Sequence, residues 1–204
     1  MMGATVQHLR PAVKHGLGQA PRRVLVATCA LVVAASASPA QSSPCSDPAA
    51  REFDFWIGDW EIRQSILRQD GTWLELPAQT SVRSALDGCA VIERWEGQVM
   101  FFWEGMTKPD TLSGLSVRAY DPTTATWHIH WMDTRAPRFG HPYVGRFTRG
   151  RGEFFREWQA PEGNRLGRVT FQDITANSVN WALAVSRDAG RSWQTIWTMR
   201  MQRR

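Results

Sequence analysis

The pair His128 and His130, separated by Ile129, is the first place in this chain where residue types and spacing suggest chemistry. On a β-strand, residues two apart share a face, so two imidazoles at this spacing can grip one metal ion. Asp133 and His141 lie close enough in the chain to complete such a site. The intervening residues argue the other way. Trp127, Ile129 and Trp131 alternate with the histidines and claim the inward face, so His128 and His130 are predicted to point outward, and no metal is expected. Glu93 is the second candidate. It alternates with Val91 and Trp95 and so is predicted to face the interior, where burial would raise its pKa and let it act as a general acid or base. Arg94 and Arg118 are candidates to neutralise it as an ordinary ion pair. No nucleophile elbow, phosphate loop or dinucleotide fingerprint appears.

What must position these residues is almost entirely strand. From Glu61 to Met201 nearly every segment reads with a period of two, bounded by Gly, Asp, Asn or Pro, and connections are short. Asp70-Gly71, Asp87-Gly88, Arg149-Gly150, Ala176-Asn177 and Asp188-Ala189-Gly190 are predicted turns. About ten strands and no long helix result. A meander of that size with one apolar face closes into a barrel or leaves a long exposed edge, which proteins avoid. Trp127 and Trp131, Trp181, and Trp193 and Trp197 with Met199 and Met201 are predicted to fall on inward faces. All eleven tryptophans lie after residue 40.

The chain changes character at that point. Residues 1–40 hold four cations, no acid and no Phe, Trp or Tyr. An apolar run from Val24 to Ala35 leads to Ser38-Pro39-Ala40, which together read as a secretory signal peptide cut after Ala40. Thr28 precedes Cys29 where a lipobox needs a smaller residue, so no lipid anchor is expected. Without the leader, 20 basic residues face 19 acidic ones, and the basic character of the whole chain (formal net charge +5) carries no case for nucleic acid. Residues 41–52 read as a flexible Ser/Pro/Ala tail and 53–204 as one domain. Cys45 and Cys89 remain to form a disulfide in an export compartment, or to stay apart as a tail thiol and a buried one.

The stretch FDFWIGDWEI, Phe53–Ile62, combines a predicted helical turn with Gly58-Asp59-Trp60 at the start of the first strand. Together with Gly88–Trp95, Tyr120-Asp121, Trp131-Met132-Asp133 and Ser186–Trp193, it resembles the secreted bacterial DUF1579-type family of calycin-like barrels, related to lipocalins and nitrobindins. The resemblance covers roughly Phe53 to Arg203 and implies that Gly58 and Trp60 close the barrel floor under an arginine of the last strand, Arg203 or Arg200. Ile129 stands where that family often has Gln, and Met201 where it often has Tyr, so the interior is less polar here. Nitrobindins bind haem through a late histidine. This chain has none after His141, which leaves Met199 or Met201 as the only late haem ligands and makes haem an unfavoured cofactor.

The resulting expectation is an all-β, antiparallel up-and-down barrel of about ten strands, calycin-like, with a short N-terminal helical turn. Its predicted function is to bind a small apolar or aromatic ligand through Trp95, Arg118, Trp127, Ile129, Trp131, Trp181 and Trp197. An isomerase or cyclase using Glu93 is the alternative. The apolar run Val99–Trp103 fits none of the alternating strands and reads as a buried strand, a lid at the barrel mouth or a homodimer contact. The protein is expected to be secreted or periplasmic, with no membrane span.

Overall fold

The computed structural model describes residues 44–204. The predicted signal peptide, residues 1–40, and the start of the predicted tail lie outside them. Ten strands follow in chain order: β1 (Gly58–Leu67), β2 (Trp73–Ala85), β3 (Ala90–Val99), β4 (Asp110–Asp121), β5 (Thr126–Asp133), β6 (Tyr143–Thr148), β7 (Arg151–Ala160), β8 (Gly163–Gln172), β9 (Ser178–Ser186) and β10 (Gln194–Arg203). Each pairs antiparallel with its neighbours in sequence, and β1 pairs with β10 to close the barrel. The closed, ten-stranded antiparallel barrel is therefore established.

Local chemistry accounts for the hairpins. Arg149 and Gly150 both take positive φ between Thr148 and Arg151, which are themselves paired, and such two-residue turns match the twist of the strands they join. Asp70 accepts hydrogen bonds from the backbone N–H and hydroxyl of Thr72. One boundary differs from the sequence reading. By alternation Thr72–Leu76 and Thr80–Leu86 read as separate strands, yet β2 runs unbroken through Pro77. Pairing of β2 with β3 begins only at Ala78, so Pro77 occupies a stretch paired on the β1 side alone. There its missing N–H removes no bond to β3.

The lower end of the barrel is closed by the opening aromatics. A 3-10 turn, Asp54–Trp56, places Phe53 and Trp56 across the bottom of the lumen. Trp60 is fully buried, stacks on Trp56 at 5.4 Å between centroids, and donates from its indole N–H to the Trp56 carbonyl. Phe53 meets Trp127, Phe147, Phe154 and Phe171 at 4.9–5.6 Å. Arg203 lies 4.2 Å over the Trp60 ring and donates to the carbonyls of Phe55, Ile57 and Ala176. Its guanidinium occupies the space a side chain at position 58 would need, and Gly58 has a φ of +140°, so only glycine suits this position. Arg200, the other arginine considered for that place, is exposed and pairs with Arg63 on the outer face.

The segment expected to be a flexible tail is folded from Pro44 onward. Pro44–Ser46 and Pro48–Arg51 form 3-10 turns, Asp47 caps the second by accepting from Ala49 N–H, and Ala50 is buried. Cys45 is joined to Cys89 in a disulfide with a Cα–Cα separation of 5.0 Å. Trp127 reaches down to this segment, donating to the carbonyl of Ala49 and to Glu52 at 3.1 and 3.2 Å. Burial pushes the Glu52 carboxyl above the usual range, with the Trp127 bond opposing it.

A candidate ligand site in the upper lumen

Strand alternation divides the predicted ligand residues by height. Trp127 is fully buried among the floor aromatics, and Ile129 sits above it, also buried. Trp95, Trp131, Trp181 and Trp197 converge higher up. Trp197 makes edge contacts with Trp181 at 5.2 Å and Trp95 at 6.0 Å, and Trp95 meets Trp131 at 6.3 Å. The Trp131 indole lies where a side chain on residue 114 would stand, so Gly114 is what admits it. Trp193 does not join them. A register shift between Thr195 and Trp197 breaks the alternation, and Trp193 lies on the outer face under Arg168, 4.3 Å from its guanidinium.

The two halves differ in packing. The floor rings Phe53, Trp56, Trp60, Trp127, Phe154 and Phe171 retain at most 1 % of their surface. In the upper half Ile66, Trp95, Val99 and Leu112 are sealed as well, but the inward-facing Leu76, Trp131, Trp158, Leu183, Trp181 and Trp197 are only partly buried. Side chains that point into a barrel and still carry accessible surface border open space as well as neighbours. Two grooves elsewhere, of about 940 and about 490 Å³, are lined mainly by outward-facing side chains and include none of the predicted ligand residues.

Polar groups run down the β3 and β4 side of the lumen. Glu93 and Arg118 form a buried ion pair at 2.7 Å, and Thr80 donates to the other Glu93 oxygen at 3.1 Å. The Arg118 guanidinium rests over Phe53, Trp56 and Phe171 at 5.2–5.7 Å, directly above the floor. The anticipated partner Arg94 points outward instead. Both Glu93 oxygens thus lie within reach of a donor, Arg118 on one side and, on the other, the Thr80 hydroxyl, which also reaches the Arg94 carbonyl at 2.9 Å. Gln64 is fully buried and satisfied, donating to the Gln98 carbonyl and accepting from Trp197. In contrast, Trp95 Nε1, Ser116 Oγ and two Arg118 nitrogens, Nε and Nη1, are buried with no hydrogen-bond partner, as are Trp56 Nε1 in the floor and Arg156 Nε on β7.

The sequence reading missed a second cluster. Tyr143, Arg156 and Trp158 all point inward, with the Arg156 guanidinium 4.6 Å from the Tyr143 ring and 5.4 Å from Trp158. Burial raises the Tyr143 hydroxyl pKa, with the charge of Arg156 opposing it. The signal was available, because Arg156 alternates with Phe154 and Trp158, but an arginine on a strand reads by default as a surface residue.

At the mouth, Val99 and Phe101 are buried against the protein's own barrel, Phe101 meeting Trp197 at 5.0 Å. A 3-10 turn follows at Phe102–Glu104, and Gly105 at φ +78° ends it. Arg135 binds Glu104 and Asp133 and covers the Phe101 ring at 4.9 Å. Burial pushes Asp133 up, but bonds from Arg135 and Trp131 outweigh it and hold the carboxyl below the usual range. Thus Val99 ends β3 and Phe101 folds over the upper rim, both buried.

His128 and His130 lie on the outer face of β5, whereas Asp133 points into the lumen, so the three cannot share an ion. His141 is exposed, and His130 packs against Phe139 at 5.6 Å. Among the described residues no group of three or more His, Cys, Asp or Glu side chains is placed to hold a metal. Met199 and Met201 are buried in the core. No described helix is long and apolar enough to cross a membrane.

No family model matches the chain, and no curated protein matches it. Among solved structures, it is similar to an S-type phycobiliprotein lyase, CPES, from Guillardia theta, with 13 % identity, 74 % of this chain and 90 % of that chain covered, and a TM-score of 0.47. It is similar also to Rv2717c from M. tuberculosis, at 14 % identity over 77 % and 98 % of the two chains, TM-score 0.46. A third is EF1p2_mFAP2b bound to DFHBI, at 11 % identity over 76 % and 99 %, TM-score 0.40. At such scores none of them assigns this chain a ligand.

Proposed function

We propose that this protein is a secreted or periplasmic carrier that binds a small apolar or aromatic ligand among the tryptophans of its upper lumen. The observation that carries the proposal is the contrast between the two ends. The floor rings are sealed, while Trp131, Trp181 and Trp197 face inward with surface to spare. Flat indole walls with few polar groups suit a flat or elongated apolar molecule. The leader-like start of the chain and the Cys45–Cys89 bridge both favour an oxidising compartment. The motifs shared with the DUF1579-type group make that family the proposed kin. The competing reading, an isomerase or cyclase acting through Glu93, would require the carboxylate to leave a buried ion pair before it could move a proton.

Fluorene, a rigid tricyclic hydrocarbon, is a suitable probe. Its titration should change tryptophan emission saturably at one site. Trp131→Ala should weaken binding by roughly 1–3 kcal/mol through lost contact area. A linear, non-saturating response in a folded protein would reject the carrier reading.

A further inference from the structure

The column of unpartnered donors on β3 and β4 says more about the ligand. From the floor upward, Arg118, then Ser116 opposite Glu93, then Trp95 succeed one another on inward faces of adjacent strands. Arg118 is 3 % exposed, Ser116 1 % and Trp95 2 %, and each carries at least one buried polar atom without a hydrogen-bond partner. Leaving a buried donor unmet is costly, so three such side chains at successive inward positions of paired strands point to a group that meets them. All can donate: an indole N–H, a hydroxyl and two guanidinium N–H groups. What they need is an acceptor.

The charge of that acceptor follows from Glu93. Its carboxylate already neutralises Arg118 at 2.7 Å, so the column carries no net charge. A second anion placed there would sit beside Glu93 in a medium of low dielectric, with no free cation on β3 or β4 inside the lumen to balance it. A neutral oxygen meets the donors without that cost.

Resting on the carrier reading, we propose that the ligand is an apolar or aromatic molecule bearing a neutral oxygen acceptor, a carbonyl or amide, bound to Trp95, Ser116 and Arg118. The hydrocarbon part lies against Trp131, Trp181 and Trp197, and the oxygen points down the column toward the floor. Arg156, on the opposite side of the lumen with Tyr143, is where an anionic group would go instead.

Three matched probes separate these outcomes: fluorene, 9-fluorenone and fluorene-9-carboxylate, each titrated against the intact protein. Fluorenone is expected to bind about tenfold tighter than fluorene, the effect of one or two well-met hydrogen bonds. Its carbonyl stretch should fall to lower wavenumber on binding. Ser116→Ala, which removes one hydroxyl, and Trp95→Phe should each shrink the preference and move the stretch back. If Trp95→Phe does not fold, the Ser116→Ala result decides.

Equal affinity for fluorene and fluorenone, with no band shift, overturns the acceptor inference and leaves the carrier reading standing; water then meets the donors. A carboxylate that binds tightest overturns it in favour of an anion at Arg156. If none of the three binds, the carrier reading and this inference fall together.

Discussion

Trp60 shows how much one side chain can decide. It is fully buried between Trp56 and Arg203, its N–H is satisfied, and Gly58 beside it has the one backbone conformation that leaves room for the arginine. Truncating it opens a hole that neighbours held by strand pairing cannot fill. Trp60→Ala is therefore expected to cost about 3–5 kcal/mol, read as a lower urea midpoint with an unchanged slope. A midpoint equal to the parent's would mean that the floor does not rest on this ring. Glu93 teaches a different lesson at the same scale. Alternation placed it inside, but only the structure shows that it meets Arg118 and Thr80 there.

At the level of elements, turns and cross-links set the geometry. The β9–β10 connection is organised by Asp188, which accepts from the Ser186 hydroxyl at 2.7 Å and from the Ser192 hydroxyl and N–H at 2.6 and 2.8 Å. The bonds from Ser192 lead in holding its carboxyl down, from 3.8 to about 2. A carboxylate with a depressed folded pKa stabilises the protein above its unfolded pKa and loses that contribution as pH falls through the folded one. The turn should thus weaken between about pH 4 and pH 2. Carbon-detected titration should give Asp188 a midpoint near 2, and Asp188→Asn should flatten the acid limb of stability in that window. A midpoint near 4 would contradict the turn geometry.

The Cys45–Cys89 bridge acts on an element too, tying the N-terminal turns to the start of β3. It spans 44 residues, and in the chain-entropy picture opening it should cost about 3–4 kcal/mol. Reductant should lower the urea midpoint accordingly. Thiol titration of denatured, unreduced protein checks the bond itself: two reactive thiols would show that it is absent.

For the molecule as a whole, the barrel is unevenly closed. β1 and β2 pair along ten residues, Gly58 to Leu67, whereas β5 and β6 pair only at Trp127–Gly145, His128–Val144 and Ile129–Tyr143. A seam with few ladder bonds opens locally at less cost than the rest. Amide hydrogen exchange should therefore be fastest along β6 and upper β5 and slowest along β1 and β2. Uniform protection around the barrel would show that the seam is held by side-chain packing alone.

The sequence by itself determined most of the strands, most of their inward faces and their closure. Period-two alternation and turn residues are local properties, and ten sequential antiparallel strands admit few arrangements. It also placed Trp95, Trp131, Trp181 and Trp197 inside, and His128 and His130 outside. Height along the barrel was not legible. Alternation says which face a ring takes but not which neighbours meet it, and these depend on register between strands far apart in sequence. Hence Trp127 and Trp131, four residues apart on one strand, belong to a sealed floor and an accessible mouth. The bulge at Thr195 to Trp197, which turned Trp193 outward, was hidden for the same reason: only pairing with β9 reveals an added residue. The inward turn of Arg156 needed tertiary structure as well, since the rings that hold its cation come from β6 and β7 together.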